Sequence, residues 1–245
     1  MVRIYSTQNP AIKIVRSLAE KKYRQETGLF VAEGNKVLDR ARALGWTPEM
    51  LVSIAPAARW GDARLLEVTP EIMAGLSTQK NPSPVLGVFR QRWSEHVEPQ
   101  GLWLAFEDMR DPGNLGTIIR TADAAGARGI ILAGRTCDPW GSACVRATMG
   151  SIFATPLVTR STAELGELCK SWPGESIGTH VQGTEDYRRP YGEPTLIVMG
   201  SEGSGLSDAV AQACSALVRI PMRDGPDSLN IAVATGLMLF EVHRA

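Results

Sequence analysis

Five residues have polar side chains of the types that bind ligands or exchange protons, and they come from three separate parts of the chain. These residues are Asn114, Arg120, Glu202, Ser228 and Asn230. Amide, carboxylate and hydroxyl groups can orient a substrate hydroxyl or exchange a proton with it, and a guanidinium can hold an anion. Simpler interpretations stay open: Asn114 as a helix cap, Arg120 as a surface cation, Glu202 as a loop carboxylate, and Ser228 with Asn230 as a helix start.

Two apolar runs near the C-terminus end in loops rich in glycine and proline. Residues 196–199 (LIVM) lead into residues 200–207 (GSEGSGLS). Residues 216–220 lead into residues 221–230 (PMRDGPDSLN), and an apolar helical pattern follows over residues 231–240. Short apolar runs predict buried strands, and irregular loops at the ends of such strands are where α/β sheets bind ligands. We therefore expect the two loops to form the floor of a small-molecule pocket.

The segment that carries Asn114 and Arg120 predicts a strand, a loop and a helix. The strand is expected at residues 102–106, the helix at 115–125 with Asn114 as its N-cap, and the next strand at 129–133. At about 100° per residue, Arg120 points away from the buried stripe of this helix, near a helix end that favours anions. Further strands are expected at residues 152–158 and 177–181.

The first ninety residues predict a series of alternating strands and helices of their own. Asn9 and Pro10 predict the start of a basic amphipathic helix. A strand at residues 28–34, a helix at 35–44, apolar runs at 50–54, 65–68 and 85–89, and a helix at 70–76 follow. The predicted division is a smaller α/β domain at residues 1–92, a linker at 93–100 and a second α/β domain at 101–245.

Positive charge is concentrated in the N-terminal part, although the whole chain has 26 basic and 26 acidic side chains. Residues 1–98 hold 14 basic and 10 acidic side chains, which suggests that a polyanion would meet this part. The candidate nucleic-acid contacts are Lys21, Lys22 and Arg24 in the first helical region, Lys80 in a polar loop, and Arg146 among small residues. An ordinary solvated surface is the alternative.

Composition excludes several other classes of protein. With 245 residues, 44% of them hydrophobic, the chain is long enough to bury a sizeable core, and disorder is excluded. The four cysteines form no C-x-x-C pair, and no His or Cys cluster has metal-ligand spacing, so we expect reduced thiols and no metal. The chain starts without a signal-peptide pattern and has no apolar run near 18 residues. We expect a cytoplasmic protein that does not enter the membrane.

Three separated motifs resemble those of one family, in its order and at its usual spacing. They are residues 114–120 (NLGTIIR), residues 199–207 (MGSEGSGLS), and residues 220–234, which run from IPM to SLNIAVA. Together they are similar to the signatures of the SpoU (TrmH-like) RNA 2′-O-ribose methyltransferases. Asp227 stands where a glutamate is frequent, which is a conservative departure. Residues 9–88 also resemble the substrate-binding domain, similar to ribosomal protein L30e, that precedes many members.

The resemblance implies a fold, a cofactor and an assembly. The fold would be a SPOUT-type α/β domain, a mainly parallel sheet with flanking helices and a trefoil knot, preceded by the L30e-like domain. The knot could not be predicted from composition, because knots are rare. The cofactor would be S-adenosyl-L-methionine, held by Met199, Gly200, Ile220, Met222, Ser228 and Leu229. The protein would be a homodimer in which Arg120 reaches the site across the interface.

The resemblance also implies roles for the five polar residues. A guanidinium is effectively always protonated in proteins, so we expect Arg120 to hold a phosphate and stabilise a developing alkoxide. A role as general base would require an unusual environment. Asn114 would orient the ribose or Arg120, Glu202 would hold Asn114 or Arg120 by a hydrogen bond, and Ser228 with Asn230 would fix the loop on the substrate side.

The expected activity is methylation of a ribose 2′-hydroxyl in structured RNA, with ribosomal RNA of the 23S type preferred. Transfer RNA is an alternative substrate, and a non-catalytic RNA-binding or ribosome-assembly factor is an alternative function. A Rossmann-type nucleotide enzyme is disfavoured, because Gly200, Gly203 and Gly205 do not have the spacing of G-x-G-x-x-G.

Overall fold

The computed structural model describes residues 2–223 and 228–244 of the chain. The chain divides into two compact units. The first unit consists of Met1–Gln91 together with Asp138–Ala154, and the second of Arg92–Cys137 together with Thr155–Ala245. Segment 138–154, which we call the strap, therefore packs with the first unit. The division made from the sequence assigned the strap to the second domain.

The first unit contains a five-stranded mixed sheet with strand order β1-β4-β3-β5-β2. Strand β5 pairs antiparallel with both β2 and β3, and the remaining pairs are parallel. The strands are β1 (Val2–Ile4), β2 (Leu29–Glu33), β3 (Met50–Ser53), β4 (Arg64–Val68) and β5 (Val85–Arg90). The helices are α1 (Pro10–Ser17), α2 (Lys21–Thr27), α3 (Asn35–Ala43), α4 (Pro70–Leu76) and, in the strap, α6 (Ser142–Ala147), which a 3-10 turn (Ser151–Phe153) follows.

The sheet of the first unit is covered on both faces. Because side chains alternate along a strand, Leu86 and Val88 of β5 enter one apolar cluster, which also contains Val15 of α1, while Phe89 points to the other face. On that other face an aromatic cluster joins the sheet to the strap. Its members are Phe30, Trp46, Trp60, Phe89, Trp140 and Phe153.

The basic helix predicted after Pro10 is two helices, α1 and α2. It begins as predicted, with Pro10 at the first helical position and the Asn9 side chain accepting a hydrogen bond from the Ala11 N–H at 2.9 Å. The chain then breaks, and Nη1 of Arg24 donates to the carbonyl oxygens of Leu18 at 2.7 Å and Ala19 at 2.8 Å. These two carbonyls therefore have a side-chain donor where the first helix ends.

The second unit is built on a seven-stranded sheet in which every pair is parallel, with order β10-β12-β9-β11-β6-β7-β8. All five residues of β11 are buried, as expected for a parallel sheet covered on both faces. The strands are β6 (Leu102–Glu107), β7 (Gly129–Ala133), β8 (Leu157–Arg160), β9 (Glu175–Thr179), β10 (Glu185–Asp186), β11 (Thr195–Met199) and β12 (Ala216–Arg219). The helices are α5 (Pro112–Ala124), α7 (Thr162–Ser171), α8 (Asp208–Ala213) and α9 (Ile231–Arg244).

The predicted fold class, a mainly parallel α/β domain preceded by a smaller α/β domain, is confirmed by these two sheets. The trefoil knot stays a prediction. The strand predicted at residues 152–158 was wrong in its first half: residues 151–153 form a 3-10 turn, and β8 begins only at Leu157. Phe153 packs in the aromatic cluster of the first unit, so its apolar side chain is buried without being part of a strand. In residues 2–223 and 228–244, no helix has both the length and the apolar character needed to cross a bilayer.

Candidate functional site

A large pocket lies at the carboxyl ends of strands β9, β11 and β12 of the second unit. Its volume is about 820 Å³, which is in the range of pockets for cofactor-sized ligands. Loops that follow the three strands form most of its wall, and the first turns of α9 complete it. All six residues predicted to bind the cofactor line this pocket: Met199, Gly200, Ile220, Met222, Ser228 and Leu229.

The loop after β11 requires glycine at its first position. A Cβ atom on Gly200 would lie 1.9 Å from the backbone carbon of Gly205 and 2.1 Å from the nitrogen of Leu206, so no other residue fits. The loop closes through two backbone hydrogen bonds of 3.1 Å between Ser201 and Gly205. The backbone of this tight turn therefore forms part of the pocket wall, and it suits a ligand that is bound through main-chain groups.

The same loop is anchored at its far end by Glu107, a residue that the sequence analysis did not single out. The Glu107 carboxylate is buried and accepts hydrogen bonds of 2.8 Å from the backbone N–H and from the hydroxyl of Ser207. Ser207 in turn caps α8, because its Oγ accepts from the N–H of Val210. A charged residue at the end of an otherwise apolar run (LWLAFE) was the available signal.

Helix α5 begins three residues earlier than predicted, so the assignment of Asn114 as the N-cap was wrong. Asp111 is the N-cap, and its Oδ1 accepts a hydrogen bond of 2.6 Å from the N–H of Asn114. Pro112 takes the first helical position, where a missing N–H costs nothing. The Asn114 side chain is consequently free to make contacts other than a cap.

Asn114 connects the three motifs through its side chain. Its Nδ2 donates to Oε1 of Glu202, and its Oδ1 accepts from Nδ2 of Asn230 at 3.1 Å. Oδ1 of Asn230 accepts from the N–H of Ala232 at 2.9 Å, which ties the network to the start of α9. Residues 88 and 116 positions from Asn114 in the sequence thus meet at one place. Because Glu202 also lines the pocket, the network lies at the pocket's edge.

Arg120 lies elsewhere on α5 and does not line the pocket of its own chain. Its side chain is exposed, and no residue of the described ranges forms a hydrogen bond or an ion pair with it. Helix α5 packs against α9. The exposed face of α9 carries three large apolar side chains, Val233, Leu237 and Phe240.

Four of the five predicted RNA contacts are exposed on the first unit: Lys21, Lys22, Lys80 and Arg146. The prediction for Arg24 was wrong. Its side chain is only 6% exposed, and its guanidinium forms an ion pair with Asp138 of the strap at 2.8 Å in addition to its bonds to backbone carbonyls. Arg24 therefore holds the first unit together and cannot reach a phosphate.

Two further predictions concern metal binding and the loop after β12. Among the residues that the structure describes, no three His, Cys, Asp or Glu side chains are grouped so that they could hold a metal ion. The loop between Arg223 and Ser228 lies outside the described residues, and so does the departure from the family pattern at Asp227.

Two family models match successive parts of the chain, and the strap falls within the range of the more C-terminal model. Residues 101–240 match the model of the SpoU rRNA Methylase family, and residues 9–87 match that of the MRM3-like substrate binding domain. A crystal structure of an AdoMet-bound rRNA methyltransferase from Sinorhizobium meliloti is 42% identical, with a TM-score of 0.92 over 99% of this chain and 97% of that chain.

Two curated relatives are similar over most of their length. The Bacillus subtilis 23S rRNA (guanosine(2553)-2′-O)-methyltransferase RlmP is 27% identical over 99% of both chains. The Streptomyces viridochromogenes 23S rRNA (uridine(2479)-2′-O)-methyltransferase is 30% identical over 93% of this chain and 86% of its own.

Proposed function

The chain belongs to the SpoU rRNA methylase family and is an S-adenosylmethionine-dependent RNA 2′-O-methyltransferase, and from this premise we propose that its substrate is ribosomal RNA of the large subunit. Two relatives that align with most of the chain are named for 23S rRNA. They modify different nucleotides, a guanosine and a uridine, so we infer no particular nucleotide. The reaction would take place in the cytoplasm, as expected from the sequence.

The pocket at the ends of β9, β11 and β12, with the Asn114 network at its edge, supports the methyl transfer, and the two relatives support the choice of RNA. S-adenosylmethionine bound there would supply an activated methyl group for transfer to the ribose oxygen, with the neutral thioether as the leaving group. The backbones of Gly200, Ile220 and Leu229 would hold its adenosine end, as the resemblance implies. Asn114 orients the 2′-hydroxyl, which loses its proton to solvent during the attack.

Arg120 acts on the RNA and not as a base. It holds the phosphate next to the reacting ribose and stabilises the negative charge that develops on the 2′-oxygen. Glu202 and Asn230 keep the Asn114 side chain in one orientation. A non-catalytic RNA-binding role is less well supported, because a silent protein has no need for this hydrogen-bonded network beside a cofactor-sized pocket.

The active form is a homodimer in which Arg120 of one subunit serves the pocket of the other. Two observations support this assembly. Arg120 does not line its own chain's pocket, and helix α9 beside it exposes Val233, Leu237 and Phe240 at spacings of four and three residues, which form one apolar stripe. A stripe of this kind is covered when a second helix packs on it.

The trefoil knot also belongs to the proposal. The sheet order puts β12 between β9 and β10, as a C-terminal strand inserted into the sheet would be, and the family resemblance implies that the chain passes through a loop to reach this place. Tracing residues 196–239 in an experimental density map would test it. A chain that reaches β12 without passing through a loop would refute the knot.

The substrate is tested by methyl transfer from tritium-labelled S-adenosylmethionine to 23S rRNA, 16S rRNA and tRNA isolated from a strain that lacks the gene. We expect label in 23S rRNA only, at one ribose that methylation mapping then identifies. Label in tRNA would favour the alternative substrate. No label in any RNA would refute the proposed activity.

Arg120→Ala should abolish transfer while the affinity for S-adenosylmethionine stays within a few-fold, because the guanidinium contacts RNA and not the cofactor. Cofactor affinity is measured by calorimetry and turnover by the tritium assay. Arg128→Ala is the matched control, since Arg128 is an exposed arginine with only a 3.8 Å surface ion pair to Glu98. Retained turnover in Arg120→Ala would remove Arg120 from catalysis.

A further inference from the structure

The first unit contains a second, smaller pocket, far smaller than a cofactor needs. It has about 40 Å³ of space for water molecules, roughly three waters, and this suits a thin planar group. Its floor is apolar and comes from three regions: α1 with the turn after it, the sheet with α3 and α4, and the strap. The floor residues are Val15, Leu18, Val31, Val37, Leu76 and Val145.

The rim of this pocket carries polar side chains that have no partner among the residues that the structure describes. Thr78 and Gln79 come from the loop after α4, and Ser142 and Arg146 come from α6. Within residues 2–223 and 228–244, none of these four side chains forms a hydrogen bond or an ion pair. The amide of Gln79 is half-buried and offers both donors and an acceptor. A ligand that enters the pocket would therefore meet unused hydrogen-bonding groups above an apolar floor.

Glu33 holds the loop of the rim in place. Its Oε1 accepts from the Ser77 hydroxyl at 2.8 Å and from the Ser83 N–H at 2.7 Å, so one carboxylate ties both ends of residues 78–82. Oγ of Ser77 also accepts from the N–H of Gln79 at 2.9 Å. The rim is thus already ordered before any ligand binds, which lowers the conformational-entropy cost of binding.

One cation lines the pocket, and three more follow lining residues closely in the sequence. Arg146 lies on the rim itself, Lys80 follows Gln79 of the rim directly, and Lys21 and Lys22 follow Ala19, another lining residue, by two and three positions. A partner with negative charge and a flat apolar group matches this combination of apolar floor and nearby cations. Unpaired RNA has both, since its bases are free to leave the stack and its phosphates are attracted to lysine and arginine.

We propose that this pocket binds one unpaired nucleotide of the RNA substrate, with its base on the apolar floor, its edge hydrogen-bonded to Gln79, and its phosphate at Arg146 and Lys80. The inference rests on the proposed function and adds a recognition site to it. The strap is part of this site, because Ser142, Val145 and Arg146 line the pocket. These three residues lie outside residues 9–87, the range that matches the substrate-binding domain. RNA recognition by the first unit therefore requires residues from the middle of the chain.

The test uses the full-length protein with isotope-labelled valine and leucine methyl groups and needs no methyl donor. Single-stranded ribonucleotide hexamers of uridine, cytidine or adenosine are titrated in, and a blunt RNA duplex with the same number of nucleotides serves as the paired control. We expect at least one hexamer to shift the methyl resonances of Val15, Val31, Val37, Leu76 and Val145, with the duplex at least about tenfold weaker, since a stacked base cannot enter.

Two variants separate this site from general attraction by charge. Arg146→Gln and Gln79→Ala should each weaken hexamer binding about fivefold to tenfold, whereas Arg64→Gln, which removes an exposed charge from β4 of the same unit, should change it less than about twofold. Thermal unfolding of each variant checks that the first unit is intact.

Three results would overturn the inference: pocket methyl groups that do not shift with any hexamer, equal shifts with the duplex, or equal weakening by Arg64→Gln. The proposed function fails on a different measurement. If the wild-type protein transfers no methyl group to RNA while the pocket methyl groups still shift, the activity is refuted and the nucleotide pocket is not.

Discussion

Asn114 is the residue on which the candidate site depends, and its availability follows from a local choice at the start of α5. Because Asp111 and Pro112 begin the helix, the amide of Asn114 is left to bridge Glu202 and Asn230. An Asn in front of an apolar helical stripe is typical of a cap, so sequence alone could not distinguish the two roles. The better cap three residues earlier decides between them.

Glu202 and Asn230 both act through Asn114, so their effects on turnover should not be additive. We expect Glu202→Ala and Asn230→Ala each to lower kcat about tenfold or more, and the double variant to lose less than the product, with a coupling of about 1 kcal/mol or more. The measurement is kcat at saturating cofactor for the four members of the cycle. Additive losses would mean that the two residues act independently.

Asp138 neutralises the buried guanidinium of Arg24, which makes it a stability residue of the first unit. Asp138→Asn should lower the free energy of unfolding by about 3 kcal/mol, because the variant leaves a buried charge without its counterion. Denaturant unfolding measures this loss. Glu167→Gln is the control, since it removes a carboxylate from an exposed ion pair with Lys170 and should cost less than about 1 kcal/mol. Equal losses would contradict the burial of the Arg24 pair.

At the scale of elements, the sequence correctly predicted the helices and strands whose apolar residues follow a single pattern along their length. The buried run of β11 is of this kind, and so is the start of α1 at Pro10. Elements whose form depends on particular side-chain contacts were missed. The carbonyls of Leu18 and Ala19 bind Arg24 where a continuous helix was expected, and Phe153 packs with Trp46 at a ring distance of 5.0 Å where a strand was expected. Periodicity contains no information about such contacts.

Asp186, the last residue of the short edge strand β10, pairs with the nearby Arg188, and the titration of this pair can be measured. Hydrogen bonds from the side chain and backbone of Arg188 lower the pKa of Asp186 to about 2. A lowered pKa in the folded state means that the stabilisation is complete above the unfolded value, about 3.9, and is lost as the pH falls through about 2. Arg188→Gln should raise the pKa of Asp186 towards 3.9, as followed by carboxyl carbon NMR. An unchanged titration midpoint would show that the backbone alone sets it.

For the molecule as a whole, the resemblance of three motifs predicted the fold class and the residues around the large pocket. It did not reveal the anchor of that pocket at Glu107, because this residue lies outside the three motifs and its only signal is one charge at the end of the apolar run of β6. It also missed the smaller pocket, whose walls come from α1, β2, α3, the loop after α4 and the strap. Sites assembled from elements with no common motif become visible only in the folded chain.

Mixed dimers test whether Arg120 acts across subunits. Arg120→Ala and Leu229→Arg should each be inactive, the second because it puts a cation into the cofactor pocket. If Arg120 acts on the partner's pocket, each mixed dimer has one intact site, and random mixing should restore about a quarter of wild-type turnover. If Arg120 acts within its own chain, no mixed dimer has an intact site and turnover stays at background. The tritium assay on refolded mixtures distinguishes the two outcomes.

The strap also affects how the protein can be synthesised and rearranged. The chain passes from one unit to the other after residues 91, 137 and 154. The aromatic cluster of the first unit is therefore complete only when Phe153 has left the ribosome. A nascent chain of ninety residues would still expose Phe30 and Trp46. Recombination that joins the first ninety residues to another catalytic domain would leave the aromatic cluster without its members from the strap. Such chimaeras should persist in evolution only when codons 138–154 are transferred with the first ninety.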